Sequence, residues 1–191
     1  AVAGQQGGGA IAGRLALGQQ AVKVEAGKIV AALRSSSKAS GAWGEAQLRN
    51  VLDMAGLREG IDFELQASTT DADGQRRRPD AVLKLPGGRE LVVDSKCSLA
   101  DYLAASEADG EADRQAALKR HALSVRTHAK GLSEKAYWKE FAASADFVVM
   151  FLPGENFLSA ALEQDLDLLA WALDQRILLA GPTTLLASAR A

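Results

Sequence analysis

The segment RRRPDAVLKLPGGRELVVDSKCSL, residues 76–99, constrains the fold of this chain more than any other. It has the pattern of two short apolar strands joined by a tight turn. The first strand begins with the carboxylate of Asp80, and the second ends in Asp94 and Lys96. Because a buried charge is costly unless it is paired or holds a metal ion, the charges at these strand ends need an explanation.

The register of the hairpin decides which of these side chains share a face. Along the second strand, Asp94 and Lys96 point to one face and Ser95 to the other, which excludes a Ser95–Lys96 nucleophilic pair. A two-residue loop at the two glycines would pair Asp80 with Ser95. A three-residue loop, Pro86–Gly88, would instead place Asp80 opposite Asp94. We favour the three-residue loop, formed by a type I turn whose last glycine is left-handed.

The two opposed carboxylates predict a metal site. In the favoured register the Cβ atoms of Asp80 and Asp94 are about 4.5–5.5 Å apart, and carboxylates that close repel each other unless a cation separates them. Mg²⁺ binds through one or two carboxylates, with water completing its shell. Lys96 would orient water or stabilise negative charge, so the set suits phosphodiester hydrolysis. On spacing alone an alternative stays open, in which Asp80 merely starts a strand and Asp94 forms a surface ion pair with Lys96.

The helix before the hairpin carries a charge on its apolar stripe. From Gly41 to Ala55 the apolar residues recur at helical spacing, and Gly56 supplies a stop. Glu45 lies on the same stripe as Leu48 and Leu52. The positive end of the helix dipole would explain a carboxylate in the first turn, but not one on the buried face. A third inward-facing carboxylate therefore favours the metal site.

The remaining patterns give the order of elements and the fold class. After the first helix we predict strand Ile61–Gln66, polar loop Ala67–Arg78, the hairpin, helix Leu99–Ala108 capped by Ser98 and Asp101, helix Arg114–Lys135, strand Asp146–Pro153, helix Gly154–Leu173, strand Arg176–Gly181 and a helix from Pro182. An antiparallel hairpin followed by strands reached through helices implies an α/β fold. Its mixed central sheet is flanked by helices on both faces.

Composition sets outer bounds on function. At 191 residues and 48% hydrophobic content, the chain can build one sizeable core. A net charge of −2 gives no global sign of nucleic-acid binding, so such a case must rest on local charge. The single cysteine, Cys97, fits a reducing compartment. There is no signal peptide pattern, and no apolar run approaches the ~18 residues of a membrane span.

Several quoted stretches together carry a family resemblance. The strings ALRSSSKASGAWGEAQL, DFELQ, RPDAVLKLPGGRELVVDSKCSLADY, RHALSVRTHAKGLSEKAYW, DFVVMFLPGENFLSAAL and GPTTLLA resemble the RmuC family of DNA recombination proteins. Within them, the pattern from Pro79 to Lys96 resembles the PD-(D/E)xK nuclease signature. The resemblance implies a bacterial, restriction-endonuclease-like nuclease domain that acts on DNA and limits rearrangements between inverted repeats. The implied cofactor is Mg²⁺ or Mn²⁺, and the implied active-site residues are Asp80, Asp94 and Glu45 as metal ligands, Lys96 as a catalytic residue, and Gln66 as a weaker member.

The resemblance also frames organisation, localisation and partners. Residues 1–27 are rich in glycine and predict a linker or the remnant of an N-terminal helical region. Residues 28–191 would form the nuclease-like domain, which we expect to be truncated at its C-terminus. Family members usually carry an N-terminal membrane anchor and a coiled coil. We expect a cytoplasmic, nucleoid-associated domain with DNA as partner, and self-association through regions outside this fragment stays open. The alternative function is an inactive nuclease-fold module that binds DNA or a protein.

One long helix and a few single residues offer further candidates. The basic residues of the predicted helix Arg114–Lys135 could contact a DNA backbone or form a solvated face: Arg114, Lys119, Arg120, Arg126 and Lys130. For His121 and His128, packing or hydrogen bonding is favoured over metal ligation. Trp43, Trp138 and Trp171 are interpreted as core or interface aromatics, with base stacking as the lesser alternative.

Overall fold

The structure is a computed structural model that describes residues 37–67, 69–70, 76–95, 99–135 and 146–190. The helices in these ranges are α1 Ser37–Met54, α2 Ala100–Glu107, α3 Glu111–Lys135, α4 Glu155–Gln164, α5 Leu168–Asp174 and α6 Pro182–Arg190. The strands are β1 Phe63–Leu65, β2 Thr69–Thr70, β3 Arg76–Arg77, β4 Ala81–Lys84, β5 Glu90–Asp94, β6 Val148–Phe151 and β7 Ile177–Ala180. The predicted linker, residues 1–27, lies outside the described residues.

The strands form a mixed five-stranded sheet in the order β1-β4-β5-β6-β7. In this sheet β4 pairs antiparallel with both β1 and β5, whereas β5, β6 and β7 are parallel to one another. The parallel connections run through helices, because parallel neighbours need a long crossover. The predicted fold class, a mixed sheet flanked by helices, is therefore confirmed.

Each face of the sheet is buried under a separate helical layer. On one face, α1 and α6 contribute Leu48, Leu52 and Leu185 to a core that includes Leu83 and Val93. On the other face, α2, α3, α4 and α5 cover a larger core around Val92. The strands bury apolar residues on both faces, such as Leu83 and Val93 on one and Val82 and Val92 on the other, as expected for a sheet covered on both sides.

The hairpin has the register that the sequence favoured, although its turn differs from the one predicted. Ala81 is paired with Val93 and Lys84 with Glu90, and the N–H of Leu85 donates to the carbonyl of Arg89, so the loop holds the three residues Pro86–Gly88. Gly88 is left-handed with φ +73°, as predicted, but Gly87 also has φ +77° and ψ 16°. A positive φ directly after proline is the signature of a type II turn rather than type I.

The predicted single helix Gly154–Leu173 is two helices, which corrects that prediction. The chain leaves helical geometry at Asp165, where φ is −138° and ψ is 88°. The second helix, α5, then buries Leu168 and Ala172 against the same core as α4. Periodicity alone missed the break because apolar residues recur at helical spacing on both sides of it.

Smaller differences concern element ends. The predicted polar loop Ala67–Arg78 contains β2 and β3, where Thr69 pairs with Arg77. Helix α3 begins at Glu111 rather than at Arg114. The first helix ends as predicted, because Gly56 adopts φ +83° and its N–H bonds the carbonyl of Asp53. The predicted capping residue Ser98 lies outside the described residues.

Candidate functional site

Most of the predicted site residues lie at one edge of the sheet. The amino end of β4 and the carboxyl ends of β5, β6 and β7 meet there, because β4 runs antiparallel to the others. In open α/β sheets this carboxyl edge is where ligands bind. Continuing the observed register by one residue places Asp80 opposite Asp94, as the sequence predicted.

Asp80 is fixed by the backbone of the neighbouring strand. Its Oδ2 accepts a hydrogen bond of 2.6 Å from the N–H of Ser95, the residue that follows Asp94. A carboxylate that accepts a backbone N–H is stabilised in its charged form. The bond therefore ties the start of β4 to the end of β5, where the two strands carry their acidic residues.

Asp94 is the most deeply buried acidic residue of the site. It is 2% exposed, and it shares a face with Val92, the face that α3 covers. Its Oδ1 lies 3.5 Å from Nζ of Lys135, at the C-terminus of α3. Its buried Oδ2 has no hydrogen-bond partner among the described residues. A buried carboxylate oxygen without a hydrogen-bond partner is unusual, which makes this atom a candidate to bind a ligand.

Glu45 lies across a cleft from Asp80. The cleft has a volume of about 440 Å³, and its walls include Glu45, Gln66 and Asp80. Nε2 of Gln66 donates a hydrogen bond of 2.9 Å to Oε2 of Glu45, and Arg78 donates to Oε1 of Gln66. Gln66 adopts a left-handed φ of 52°, which ends β1 and turns its amide toward α1.

Three predicted ligands do not form one compact cluster. No three His, Cys, Asp or Glu side chains within the described ranges are grouped closely enough to hold a metal ion. Glu45 and Asp80 line the same cleft, whereas Asp94 is buried next to Lys135. Lys96, the predicted catalytic lysine, lies outside the described residues, as does Cys97.

Gly44 was missed by the sequence analysis. A Cβ at this position would lie 2.7 Å from Oγ of Ser95, so its absence allows α1 to pack against the end of β5. This contact brings the next residue, Glu45, to the site edge. The sequence did carry a signal for Gly44, because a glycine inside a helix lowers its stability by about 1 kcal/mol relative to alanine and usually has a packing reason.

Lys135 was also missed, and here the sequence carried no signal. A lysine in the last turn of a helix is common because it complements the helix dipole. Only the tertiary fold brings it to Asp94, 41 residues earlier in the chain.

The basic residues of α3 are largely paired with carboxylates. Arg114 contacts Glu111 at 3.3 Å, Arg120 contacts Asp101 at 2.9 Å, and Lys130 lies 4.0 Å from Glu134. Arg126 bonds Asp165 and lies over the ring of Trp171 at 4.4 Å. The face is a mixture of charges, with Lys119 exposed on it.

Both histidines, His121 and His128, lie on α3. His121 is fully buried, its Nε2 lies 2.9 Å from the carbonyl oxygen of Phe157, and its ring contacts Tyr102 edge-on. Packing with a hydrogen bond, the favoured interpretation for His121, is what the structure shows. His128 is half-buried. Trp43 and Trp171 pack at the edges of the larger core, and Trp138 lies outside the described residues.

The fold and the site edge define a class: an α/β protein with a mixed sheet, whose strand ends present opposed carboxylates beside a cleft. The sequence model of the RmuC family matches residues 11–191. The chain belongs to the RmuC family.

Curated relatives agree with this assignment. The chain is 53% identical over 173 residues to a protein named DNA recombination protein RmuC homolog from Zymomonas mobilis, covering 91% of this chain and 38% of the relative. It is 44% identical to the Pseudomonas aeruginosa homolog, over 87% of this chain and 37% of the relative. It is 37% identical to DNA recombination protein RmuC of Escherichia coli K12, over 87% of this chain and 35% of the relative. The chain thus spans little more than a third of these relatives. No solved structure matches it.

None of the helices in the described ranges has both the length and the apolar character needed to cross a membrane.

Proposed function

We propose that this chain forms a divalent-metal-dependent deoxyribonuclease domain of the PD-(D/E)xK superfamily, with a restriction-endonuclease-like fold. The observation that carries the proposal is the hairpin register, which places Asp80 opposite Asp94 at the carboxyl edge of the sheet. Relatives named DNA recombination proteins support DNA as the substrate class. The order of Glu45, Asp80, Asp94 and Lys96 along the chain supports the superfamily assignment.

The donor set fits a hard divalent cation. Asp94 offers a buried carboxylate oxygen with no hydrogen-bond partner among the described residues, and Asp80 approaches from the paired strand. Mg²⁺ commonly takes one or two carboxylates and completes its shell with water and substrate phosphate, so a compact group of three acidic side chains is not required. Asp80 and Asp94 would therefore hold Mg²⁺ or Mn²⁺.

The chain's own residues would supply the rest of the chemistry. The bound ion would polarise the phosphoryl group and lower the pKa of water. Glu45, held by Gln66 across the cleft, would orient the attacking water or accept its proton. Lys96 would stabilise the charge that builds up on the phosphoryl oxygens. Hydrolysis then adds hydroxide to phosphorus, breaks one phosphorus–oxygen ester bond and delivers a proton to the leaving oxygen.

A role in DNA recombination follows from the same proposal. The family resemblance points to limiting rearrangements at inverted repeats, where branched or single-stranded DNA would be the substrate. Such a domain would act at the nucleoid. The chain spans little more than a third of the length of its curated relatives, so self-association is proposed only for proteins of the relatives' full length.

A second candidate function is a nuclease-fold module that binds DNA or a protein without cutting. Two observations favour it: Asp94 contacts Lys135, and no three metal-binding side chains are grouped within the described ranges. An ion pair of this kind can neutralise a buried carboxylate without a metal.

A cleavage assay separates the two functions. Single-stranded, duplex and branched DNA would each be incubated with the chain, with Mg²⁺, with Mn²⁺ or with a chelator. We expect metal-dependent cleavage by wild type and its loss in Asp94→Asn, which keeps the side-chain shape but removes the charge.

The matched control is Asp53→Asn, because Asp53 is an exposed aspartate on α1 outside the cleft. Cleavage that persists unchanged in Asp94→Asn would refute the proposed site. DNA binding without cleavage in any metal would support the non-cutting module.

A further inference from the structure

We propose that Lys135 competes with a divalent cation for Asp94 and thereby lowers the metal affinity of the candidate site. The inference rests on the proposed function and adds a residue from outside the nuclease signature, on a different element of the fold. It concerns the contact between the C-terminus of α3 and the end of β5.

The contact joins a buried anion to a partly exposed cation. The side chain of Asp94 is 3% exposed and that of Lys135 is 34% exposed, with 3.5 Å between Oδ1 and Nζ. Burial of a carboxylate is costly unless a positive charge compensates it. Lys135 supplies such a charge from α3, which covers the face of the sheet that Asp94 shares with Val92.

The geometry of the pair makes Lys135 displaceable. Strong charge-assisted hydrogen bonds measure about 2.7–2.9 Å, so a separation of 3.5 Å is a loose contact. The long lysine stem can carry its ammonium group toward water while Asp94 stays in place. The last turn of α3 keeps the ammonium nearby, because the C-terminus of a helix attracts a positive charge.

A cation that binds Oδ2 of Asp94 would therefore meet the charge of Lys135 only a few ångströms away. Charges at such a distance in a partly buried site, with an effective dielectric constant near ~20, change a binding constant by more than a factor of ten. Replacing Lys135 by a neutral residue should tighten divalent binding. The direction matters, because a variant that merely damages the structure would weaken binding.

The test measures Mn²⁺ affinity of the whole chain by isothermal titration and by the electron paramagnetic resonance signal of free Mn²⁺. We expect Lys135→Met to bind Mn²⁺ at least about tenfold more tightly than wild type. Lys135→Arg keeps the charge and should stay close to wild type. The matched control is Lys130→Met on the same helix, whose side chain is 68% exposed with its Nζ 4.0 Å from Glu134, and it should leave the affinity unchanged.

The outcomes distinguish this inference from the proposed function. Mn²⁺ binding that is lost in Asp94→Asn but unchanged or weakened in Lys135→Met overturns the inference alone. If neither wild type nor Lys135→Met binds Mn²⁺ in a manner that depends on Asp94, the proposed function and the inference both fail. Melting curves recorded in chelator confirm folding, and Lys135→Gln serves as the neutral variant if Lys135→Met does not fold.

Discussion

Arg126 and Asp165 form a two-pronged ion pair that ties α3 to the break between α4 and α5. Nε of Arg126 donates to one carboxylate oxygen at 2.7 Å and a terminal guanidinium nitrogen donates to the other at 2.9 Å. The hydrogen bonds from Arg126 lower the pKa of Asp165 below the usual range of an aspartate. Arg126, which its sequence position made a candidate DNA contact, is held in this ion pair and lies over the ring of Trp171.

This pair predicts a pH-dependent loss of stability in Asp165→Asn. Because the folded-state pKa of Asp165 is lowered, the pair contributes its full stability above the unfolded-state pKa, and that stability is lost as the pH falls through the folded-state value. We expect Asp165→Asn to lower the free energy of unfolding by about 1–2 kcal/mol at neutral pH. The difference from wild type should close as Asp165 becomes protonated in the folded state.

Urea unfolding between acidic and neutral pH would measure this dependence. Asp174→Asn, at an exposed aspartate on α5, is the matched control and should behave as wild type. If the difference in unfolding free energy between wild type and Asp165→Asn stayed constant down to strongly acidic pH, this result would contradict a stabilisation that depends on the charge of Asp165.

A second prediction concerns the close approach of α1 to β5. Gly44→Ala would place a Cβ 2.7 Å from Oγ of Ser95, so we expect a loss of about 1–3 kcal/mol from strain in a packed region. Gly41→Ala on the same helix meets no atom within 4 Å and should gain about 0.5–1 kcal/mol.

The double variant Gly44→Ala with Ser95→Ala checks the cause, since it removes the oxygen that the new methyl group meets. Thermal melting should show partial rescue. A Gly44→Ala protein as stable as Gly41→Ala would show that α1 does not press against Ser95.

A third prediction concerns the hairpin turn. Gly87 has φ +77°, a region that costs an L-residue roughly 1–2 kcal/mol, so Gly87→Ala should lower the free energy of unfolding by that amount. Gly131→Ala, inside α3 and with no atom within 4 Å, should instead stabilise the chain. Chemical denaturation of both variants gives opposite signs if the turn geometry is correct.

The elements that the sequence predicted well depend on local patterns. The register of the hairpin follows from the length of one loop, and the end of α1 follows from Gly56. Both depend on residues close together in the chain, where turn chemistry leaves few options. The order of strands and helices was predicted for the same reason.

The parts that were not predicted depend on tertiary contacts. The break at Asp165 is accompanied by an ion pair with Arg126 on another helix, and the approach of Lys135 to Asp94 depends on how α3 crosses the sheet. The position of Glu45 was predicted only as facing the sheet. Its hydrogen bond with Gln66 depends on the left-handed backbone that ends β1, and no pattern in the sequence predicts that conformation.

The last prediction separates catalysis from binding through Lys96. Lys96→Ala leaves Asp80 and Asp94 in place, so Mn²⁺ and DNA should bind as in wild type. If Lys96 acts mainly in the transition state, the turnover number should fall by roughly 10²–10³-fold, as for a single electrostatic stabiliser, while KM changes little. Single-turnover kinetics on a cleaved DNA substrate, with binding measured separately, would show this split. Lys84→Ala, at an exposed lysine at the opposite end of β4, is the control for a general loss of charge. Cleavage by Lys96→Ala at the wild-type rate would assign the activity to another site, and the non-cutting module would become the better description of this domain.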